Sequence, residues 1–216
     1  DRDTVEAQVM STLDLIGVGT EYDFIRELAM ERRGLQGRMA INDKTGISYP
    51  VYEVQQSPLV SIIIPSKDNV EILKQCIRSV YEHTTYPNYE IIVVDNGSSA
   101  QARMALQNFQ EECAFTYLYE PMDFNFSVMC NLGAKKAGGE YLLLLNDDME
   151  VLADCADWLD RMVGQASLRH VGAVGAKLLY PDSRLIQHAG VTNTISGPGH
   201  KLKGLDDTQS YYYGRN

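Results

Sequence analysis

The sequence has 216 residues, of which 44% are hydrophobic and 22% are charged, so it is long enough to bury a core in one main domain. Lysine and arginine number 19 against 29 aspartates and glutamates, and the formal net charge of -10 argues against binding to a nucleic-acid backbone. No apolar run approaches the roughly 18 residues that a membrane-spanning helix needs.

Residues 1–57 carry mixed signals and are predicted to form a helical extension or linker. Phe24 and Leu28 fit one face of a helix, and Gly46 is predicted in a turn before a short strand. We expect this segment to contribute packing or linkage rather than chemistry.

From residue 58 the sequence alternates between apolar runs of strand length and segments with helical spacing. The predicted strands are LVSIII (59–64), YEIIVV (89–94), FTYLYE (115–120), YLLLLN (141–146) and VGAVGAKLLY (171–180). Pro65 is predicted to end the first strand, and Ser127 is predicted to cap the helix before the fourth. The alternation predicts an α/β fold with a mostly parallel sheet covered on both faces. The leucines of the fourth strand would then lie in a central strand.

Polar residues follow three of these strands, at the edge where open α/β sheets bind their ligands. They are Pro65–Asp68, Asp95–Ser98 and Asn146–Asp148. Adjacent residues of an extended strand point in opposite directions, so Asp147 and Asp148 are expected to have different roles. Two carboxylates about 4 Å apart repel by roughly 4 kcal/mol at an effective dielectric constant of about 20. A divalent cation of the Mg²⁺ or Mn²⁺ type would compensate for this repulsion and for a nearby diphosphate, whereas the alternative is a solvated Asp-Asp turn that caps the next helix.

The segment Asp95-Asn96-Gly97-Ser98 is compatible with two interpretations. Turn and capping chemistry explains it without a ligand, but its position beside two other polar strand ends favours binding of a nucleobase or ribose. The amide of Asn96 can both donate and accept hydrogen bonds, which suits a base edge. PSKDN follows the first strand in place of a glycine-rich phosphate-binding sequence, so a diphosphate here would need the metal.

Four stretches carry a family resemblance by their order and spacing. They are VSIIIPSKDN, YEIIVVDNGSS, DFNFSVMCNLGAKKAGGEYLLLLNDDMEV and VGAVGAKLLYPDSRLIQHAGV. They resemble the family 2 glycosyltransferases, particularly bacterial enzymes that build O-antigen and other surface polysaccharides, over residues 58–215. The resemblance implies a Rossmann-like GT-A nucleotide-sugar-binding fold, C-terminally truncated, with residues 58–216 as the donor-binding domain. It also implies inverting transfer of a sugar from a nucleotide diphosphate to a glycan or lipid-linked acceptor, with NDD as the D-x-D-type motif.

The resemblance assigns roles to individual residues. The nucleotide-sugar-binding positions are Pro65, Ser66, Lys67, Asp68, Asp95, Asn96, Asn131 and Asp147. Asp148 is expected to bind Mn²⁺ or Mg²⁺, with Asp147, His188 and His200 as further candidate ligands. Lys67 stands where relatives often have an aromatic residue, and Asn96 where many have a second acid. The side chains therefore do not fix the nucleotide, and UDP- and dTDP-linked sugars are both expected donors.

The general base is unknown from this sequence and is expected beyond Asn216, because the family supplies it from an acidic residue after the stretch that YYYGRN resembles. The chain is therefore expected to bind donor and metal but to transfer sugar poorly or not at all by itself. One alternative is a non-catalytic nucleotide-sugar-binding or scaffolding module of a larger synthase. Another is a receiver domain, which also places a lysine such as Lys177 near strand ends, but it needs two acids where this chain has Pro65-Ser66.

The four cysteines form no C-x-x-C pair and are predicted to be reduced thiols. A reducing compartment fits this usage, so we expect a cytoplasmic location, including the inner face of the cell membrane. Membrane association would come only from regions outside this sequence.

Overall fold

The structure is a computed structural model that describes residues 20–42, 47–195 and 197–208. It divides into two compact units. One contains the described residues up to Glu53 and from Gly164 onward, and the other is Val54–Val163. In the described ranges, no helix combines the length and apolar character needed to span a membrane.

The helices and strands follow one another along the chain as predicted, with additional short strands. In order they are α1 (Thr20–Arg32), β1 (Gly37–Asn42), β2 (Ile47–Tyr52), β3 (Val60–Ser66), α2 (Val70–Glu82), β4 (Tyr89–Asp95), α3 (Ala100–Phe109), β5 (Thr116–Tyr119), α4 (Phe126–Lys136), β6 (Tyr141–Leu144), a 3-10 turn (Ala153–Cys155), α5 (Trp158–Ala166), β7 (Leu178–Leu179), β8 (Ile186–His188), β9 (Val191–Thr194) and β10 (Gly197–His200).

The Val54–Val163 unit is built on a parallel sheet with the strand order β5-β4-β3-β6. Ile62 and Ile64 point to one face, where residues of α2, α3 and α5 complete a core, and Ile63 points to the other, where α4 packs. Both central strands are apolar without alternation because both faces are covered. Gly133 lets α4 approach closely, since a Cβ there would lie 2.4 Å from Cγ2 of Ile63.

In the other unit, β1 and β2 pair as an antiparallel hairpin, where the sequence predicted one short strand. The helix predicted around Phe24 and Leu28 is confirmed as α1. The turn predicted at Gly46 lies outside the described residues. The remaining strands form two antiparallel pairs, β7 with β8 and β9 with β10.

The fourth predicted strand is confirmed, but its predicted central position is wrong. Among the described residues, β6 pairs only with β3 and is an edge strand, so Leu142 and Leu144 are each 52% exposed. An apolar run in the sequence indicates a strand but does not show whether that strand has one neighbouring strand or two. Of the predicted strand 171–180, only Leu178–Leu179 is a strand, and it pairs antiparallel with β8 instead of joining the parallel sheet. Glycines in this segment offer no side chains to pack, which weakens a strand.

Two predicted element boundaries are also wrong. Pro65 does not end β3 but lies inside it, opposite Val94. The backbone nitrogen of Pro65 is directed toward the β6 side of β3, where the pairing with β6 has already ended at Ile63–Leu144. The sheet therefore loses no hydrogen bond from the missing N–H of proline. The α4 helix is capped by Asn125, whose side chain accepts from the Val128 N–H at 3.1 Å, rather than by Ser127.

Candidate functional site

Hydrogen bonds join the ends of three strands at the carboxyl edge of the parallel sheet. The Ser66 hydroxyl at the end of β3 donates to Oδ2 of Asp147, beyond β6, at 2.6 Å. Asn69 donates its side-chain N–H to the same oxygen at 3.2 Å. The backbone N–H of Asn96, after β4, donates to the Ser66 carbonyl at 3.1 Å. Ser66, Asn96 and Asp147, predicted to bind a nucleotide sugar, therefore lie together.

The segment after β6 turns sharply instead of remaining extended as the sequence prediction assumed. The Met149 N–H donates to the Asn146 carbonyl at 3.4 Å, which places Asp147 and Asp148 at the corners of the turn. Asp147 is half-buried and held by its partners, whereas Asp148 is exposed and has no hydrogen-bond or ion-pair partner among the described residues. The two carboxylates thus have different environments.

Asp148 provides a free carboxylate at this edge. Over the described parts of the chain, no group of three or more His, Cys, Asp and Glu side chains is placed to hold a metal ion by itself. Mg²⁺-type ions at phosphate sites are commonly bound by one or two carboxylates together with substrate phosphates and water. The donor set here therefore fits a hard divalent cation that is shared with a bound phosphate ligand.

The Asp95 carboxylate is buried, at 1% exposure, and is fully engaged within the protein. Its Oδ1 accepts from the backbone N–H groups of Gly97 at 2.9 Å and Ser98 at 2.7 Å, and its Oδ2 accepts from the Tyr117 hydroxyl. Burial, and then this hydrogen bond, raise the pKa of Tyr117. Gly97 has a φ of 95°, a left-handed conformation that glycine adopts without strain. Asp95 therefore holds the turn after β4 in place.

The Asn96 side chain has the opposite character, although it is equally buried at 1% exposure. Neither its Oδ1 nor its Nδ2 has a hydrogen-bond partner among the described residues. An unpaired buried amide costs about 1–3 kcal/mol of stability, so a side chain of this kind calls for a partner outside the protein. Asn96 is therefore the stronger of the two candidates for contact with a ligand.

The loop after β3 is tied to the loop after β4 through Asp68. Its backbone N–H donates to the Ser98 hydroxyl at 2.8 Å, and its Oδ1 accepts from the Ser99 N–H at 2.9 Å. Asp68 has a φ of 57°, an uncommon conformation that these two bonds stabilise. Lys67 beside it is exposed and brings a positive charge to this edge.

Cys76 on α2 lies next to the turn that contains the two aspartates. Its thiol is 3.7 Å from the Asn146 carbonyl, and burial, followed by the charge of Asp147, raises its pKa to about 12.

The remaining candidates take no part in the hydrogen bonds described above. Pro65 is buried in β3, and Asn131 is exposed on α4. His188 and His200 belong to the other unit, where their Nδ1 atoms are 2.8 Å apart and their rings nearly perpendicular. Sequence reasoning missed Asn69 and Tyr117. The sequence signal for Asn69 was its place in the loop after β3. For Tyr117 there was no signal in the sequence, because the register that sets it opposite Val93 is known only from the structure.

Comparison with known proteins shows similarity to sugar-transferring proteins. The protein-family model described as "Glycosyl transferase family 2" matches residues 61–207. The O-antigen biosynthesis protein RfbC of Myxococcus xanthus is 39% identical over 180 residues, which are 82% of this chain and 14% of RfbC. The uncharacterized protein y4gI of Sinorhizobium fredii is 39% identical over 188 residues, 79% of this chain and 20% of y4gI. The chain thus spans a fifth or less of the length of these relatives.

A solved structure shares the fold. The mannosyltransferase PcManGT from Pyrobaculum calidifontis, in complex with GDP-Man and Mn²⁺, superposes with a TM-score of 0.50 at 19% identity. The match covers 78% of this chain and 46% of that chain.

Proposed function

Because this chain belongs to glycosyl transferase family 2 and has the GT-A fold, we propose that it forms the donor-binding part of an inverting, metal-dependent glycosyltransferase. The substrate would be a nucleotide diphosphate sugar, and the acceptor a glycan or lipid-linked glycan in polysaccharide biosynthesis. The observation that carries the proposal is the convergence of the free Asp148 carboxylate, the oriented Asp147 carboxylate and the unpaired Asn96 amide at one sheet edge.

Two named relatives support the class of substrate. RfbC is named for O-antigen biosynthesis, which supports a surface polysaccharide as the product. PcManGT binds GDP-Man and Mn²⁺, which supports a nucleotide sugar and a divalent cation. A cytoplasmic location stays a prediction.

In this proposal, Asn96 contacts the edge of the base, while Asp95 positions Asn96 by fixing the turn. Ser66 and Asn69 hold Oδ2 of Asp147, so its Oδ1 can accept a hydrogen bond from a ribose hydroxyl. Lys67 can place its ammonium group near the diphosphate, whose negative charge it would partly balance. Each of these roles is binding or orientation.

Asp148 would hold the metal ion, since its carboxylate is exposed and not engaged elsewhere. When bound, a divalent cation supplies positive charge that stabilises the departing diphosphate. In the inverting reaction the acceptor oxygen bonds to the anomeric carbon as the bond from that carbon to the diphosphate oxygen breaks. A general base must also take the proton of the acceptor hydroxyl, and we assign that role to none of the described residues.

Calorimetry with uridine, thymidine and guanosine diphosphates, each with and without Mn²⁺, tests the proposal. We expect at least one nucleotide to bind, and to bind more tightly with Mn²⁺. No binding of any nucleotide in either condition would contradict it. Nucleotide binding by a longer protein that contains this chain, combined with no sugar transfer, would favour a non-catalytic binding module instead.

A further inference from the structure

The loop between β5 and α4 begins beside the turn that contains Asn96 and exposes an aromatic ring three residues further along. Phe124 is 79% exposed, the most of any phenylalanine, tyrosine or tryptophan side chain that the structure describes. Phe126, two residues later, is 43% exposed. Exposed apolar patches often mark surfaces that a ligand or partner covers.

The exposed position of Phe124 is fixed from both sides. Before it, the Glu120 N–H donates to the Asp95 carbonyl at 2.8 Å, and Pro121 is near Gly97, where a Cβ would lie 3.4 Å from Pro121. After it, Asn125 caps α4. Phe124 therefore follows, by three residues, the residue Pro121, which contacts the turn that contains Asn96.

We propose that Phe124 is the residue on which the nucleobase of the donor stacks, while Asn96 binds the edge of that base. This inference rests on the proposed function. A base and a phenyl ring are both flat and apolar on their faces, and stacking between them does not depend on which base is bound. Asn96 can recognise only the hydrogen-bonding edge, so a second residue is needed to cover the face. The exposed ring of Phe124 meets this requirement from the adjoining loop.

The test compares two ligands that differ in the presence of a base. Affinities of a nucleoside diphosphate and of inorganic pyrophosphate are measured by calorimetry in Mn²⁺ for the wild type, Phe124→Ala, Phe124→Tyr and Phe126→Ala. We expect Phe124→Ala to weaken nucleoside diphosphate binding about 5- to 150-fold, the range for loss of one base–aromatic stack. Pyrophosphate affinity should be unchanged. Phe124→Tyr should retain binding, and Phe126→Ala, the matched control at the first residue of α4, should bind as the wild type does.

Several results would overturn the inference. Equal nucleoside diphosphate affinity for Phe124→Ala and the wild type would show that the base does not stack there. An equal loss for pyrophosphate would assign the effect to the phosphate site or to folding. If the wild type binds no nucleoside diphosphate more tightly than pyrophosphate, the proposed function fails together with this inference. If the wild type does show this preference and Phe124→Ala keeps it, only the assignment of Phe124 fails.

Discussion

Replacement of Tyr117 by phenylalanine tests whether Asp95 is the anchor of the turn after β4. The substitution removes the hydroxyl that donates to Oδ2 of Asp95 and leaves that oxygen unpaired in a site with 1% exposure. Hydrogen bonds to charged groups contribute about 1.5–3 kcal/mol, so Tyr117→Phe should lower the free energy of unfolding by this amount. With a urea dependence of about 1–3 kcal/mol per molar, the unfolding midpoint should fall by about 1 M.

The assay can follow the unit that contains this site. Trp158 is the one tryptophan of the chain, and it packs against the core of the Val54–Val163 unit, so its fluorescence reports the unfolding of that unit. Tyr119→Phe is the matched control, since this tyrosine is exposed on the same strand, and it should change stability by less than about 0.5 kcal/mol. If Tyr117→Phe is as stable as this control, the assignment of Asp95 as the anchor is wrong.

The pH dependence gives the same prediction a second readout. Burial and the bond to Asp95 raise the pKa of Tyr117, so the folded chain keeps the hydroxyl proton where the unfolded chain releases it, near pH 10. The stability from this group is therefore fully present below about pH 10 and is lost as the pH rises toward the higher folded pKa. The free energy of unfolding of Tyr117→Phe should therefore fall less than that of the wild type as the pH rises above about 10.

Two further predictions concern packing and thiol reactivity. Gly139→Ala should destabilise the same unit by about 1–3 kcal/mol, because a Cβ would lie 2.5 Å from Oγ and 2.6 Å from the backbone N of Ser61. Gly138→Ala meets atoms no closer than 3.5 Å and should be nearly neutral in the same urea titration, so similar losses for the two variants would contradict the geometry. At pH 8 a maleimide should label the exposed Cys155 well before the buried Cys76, whose pKa is raised to about 12, as peptide mass spectrometry would show. Equal labelling rates in the folded protein would contradict the burial of Cys76.

The sequence predicted the parallel strands well where both faces of a strand are covered. β3 and β4 are mostly runs of β-branched residues without alternation, a pattern typical of strands that are covered on both faces. The same logic misplaced β6, because leucine content does not depend on whether a strand has one neighbour or two. The segment 171–180 was misjudged since its glycines reduce the side-chain packing on which a strand depends.

The candidate site was predicted in outline because polar residues at the ends of parallel strands meet at one edge. This argument correctly placed Ser66, Asn96 and Asp147 together. It could not separate Asp95 from Asn96, which are adjacent and equally buried. Only their partners distinguish them, and one of those partners, Tyr117, comes from another strand through a register that the sequence does not specify.

Metal-dependent nucleotide binding by an Asp148→Ala variant tests the central claim most directly. We expect the wild type to bind a nucleoside diphosphate more tightly in Mn²⁺ and the variant to lose this gain while keeping its metal-free affinity, because Asp148 would contact the metal and not the nucleotide. Glu140→Ala is the matched control, since this exposed carboxylate immediately precedes the first residue of β6, at the end of the strand away from Asp148. This variant should behave as the wild type does. A full Mn²⁺ effect in Asp148→Ala would contradict the assignment of this residue as the metal ligand.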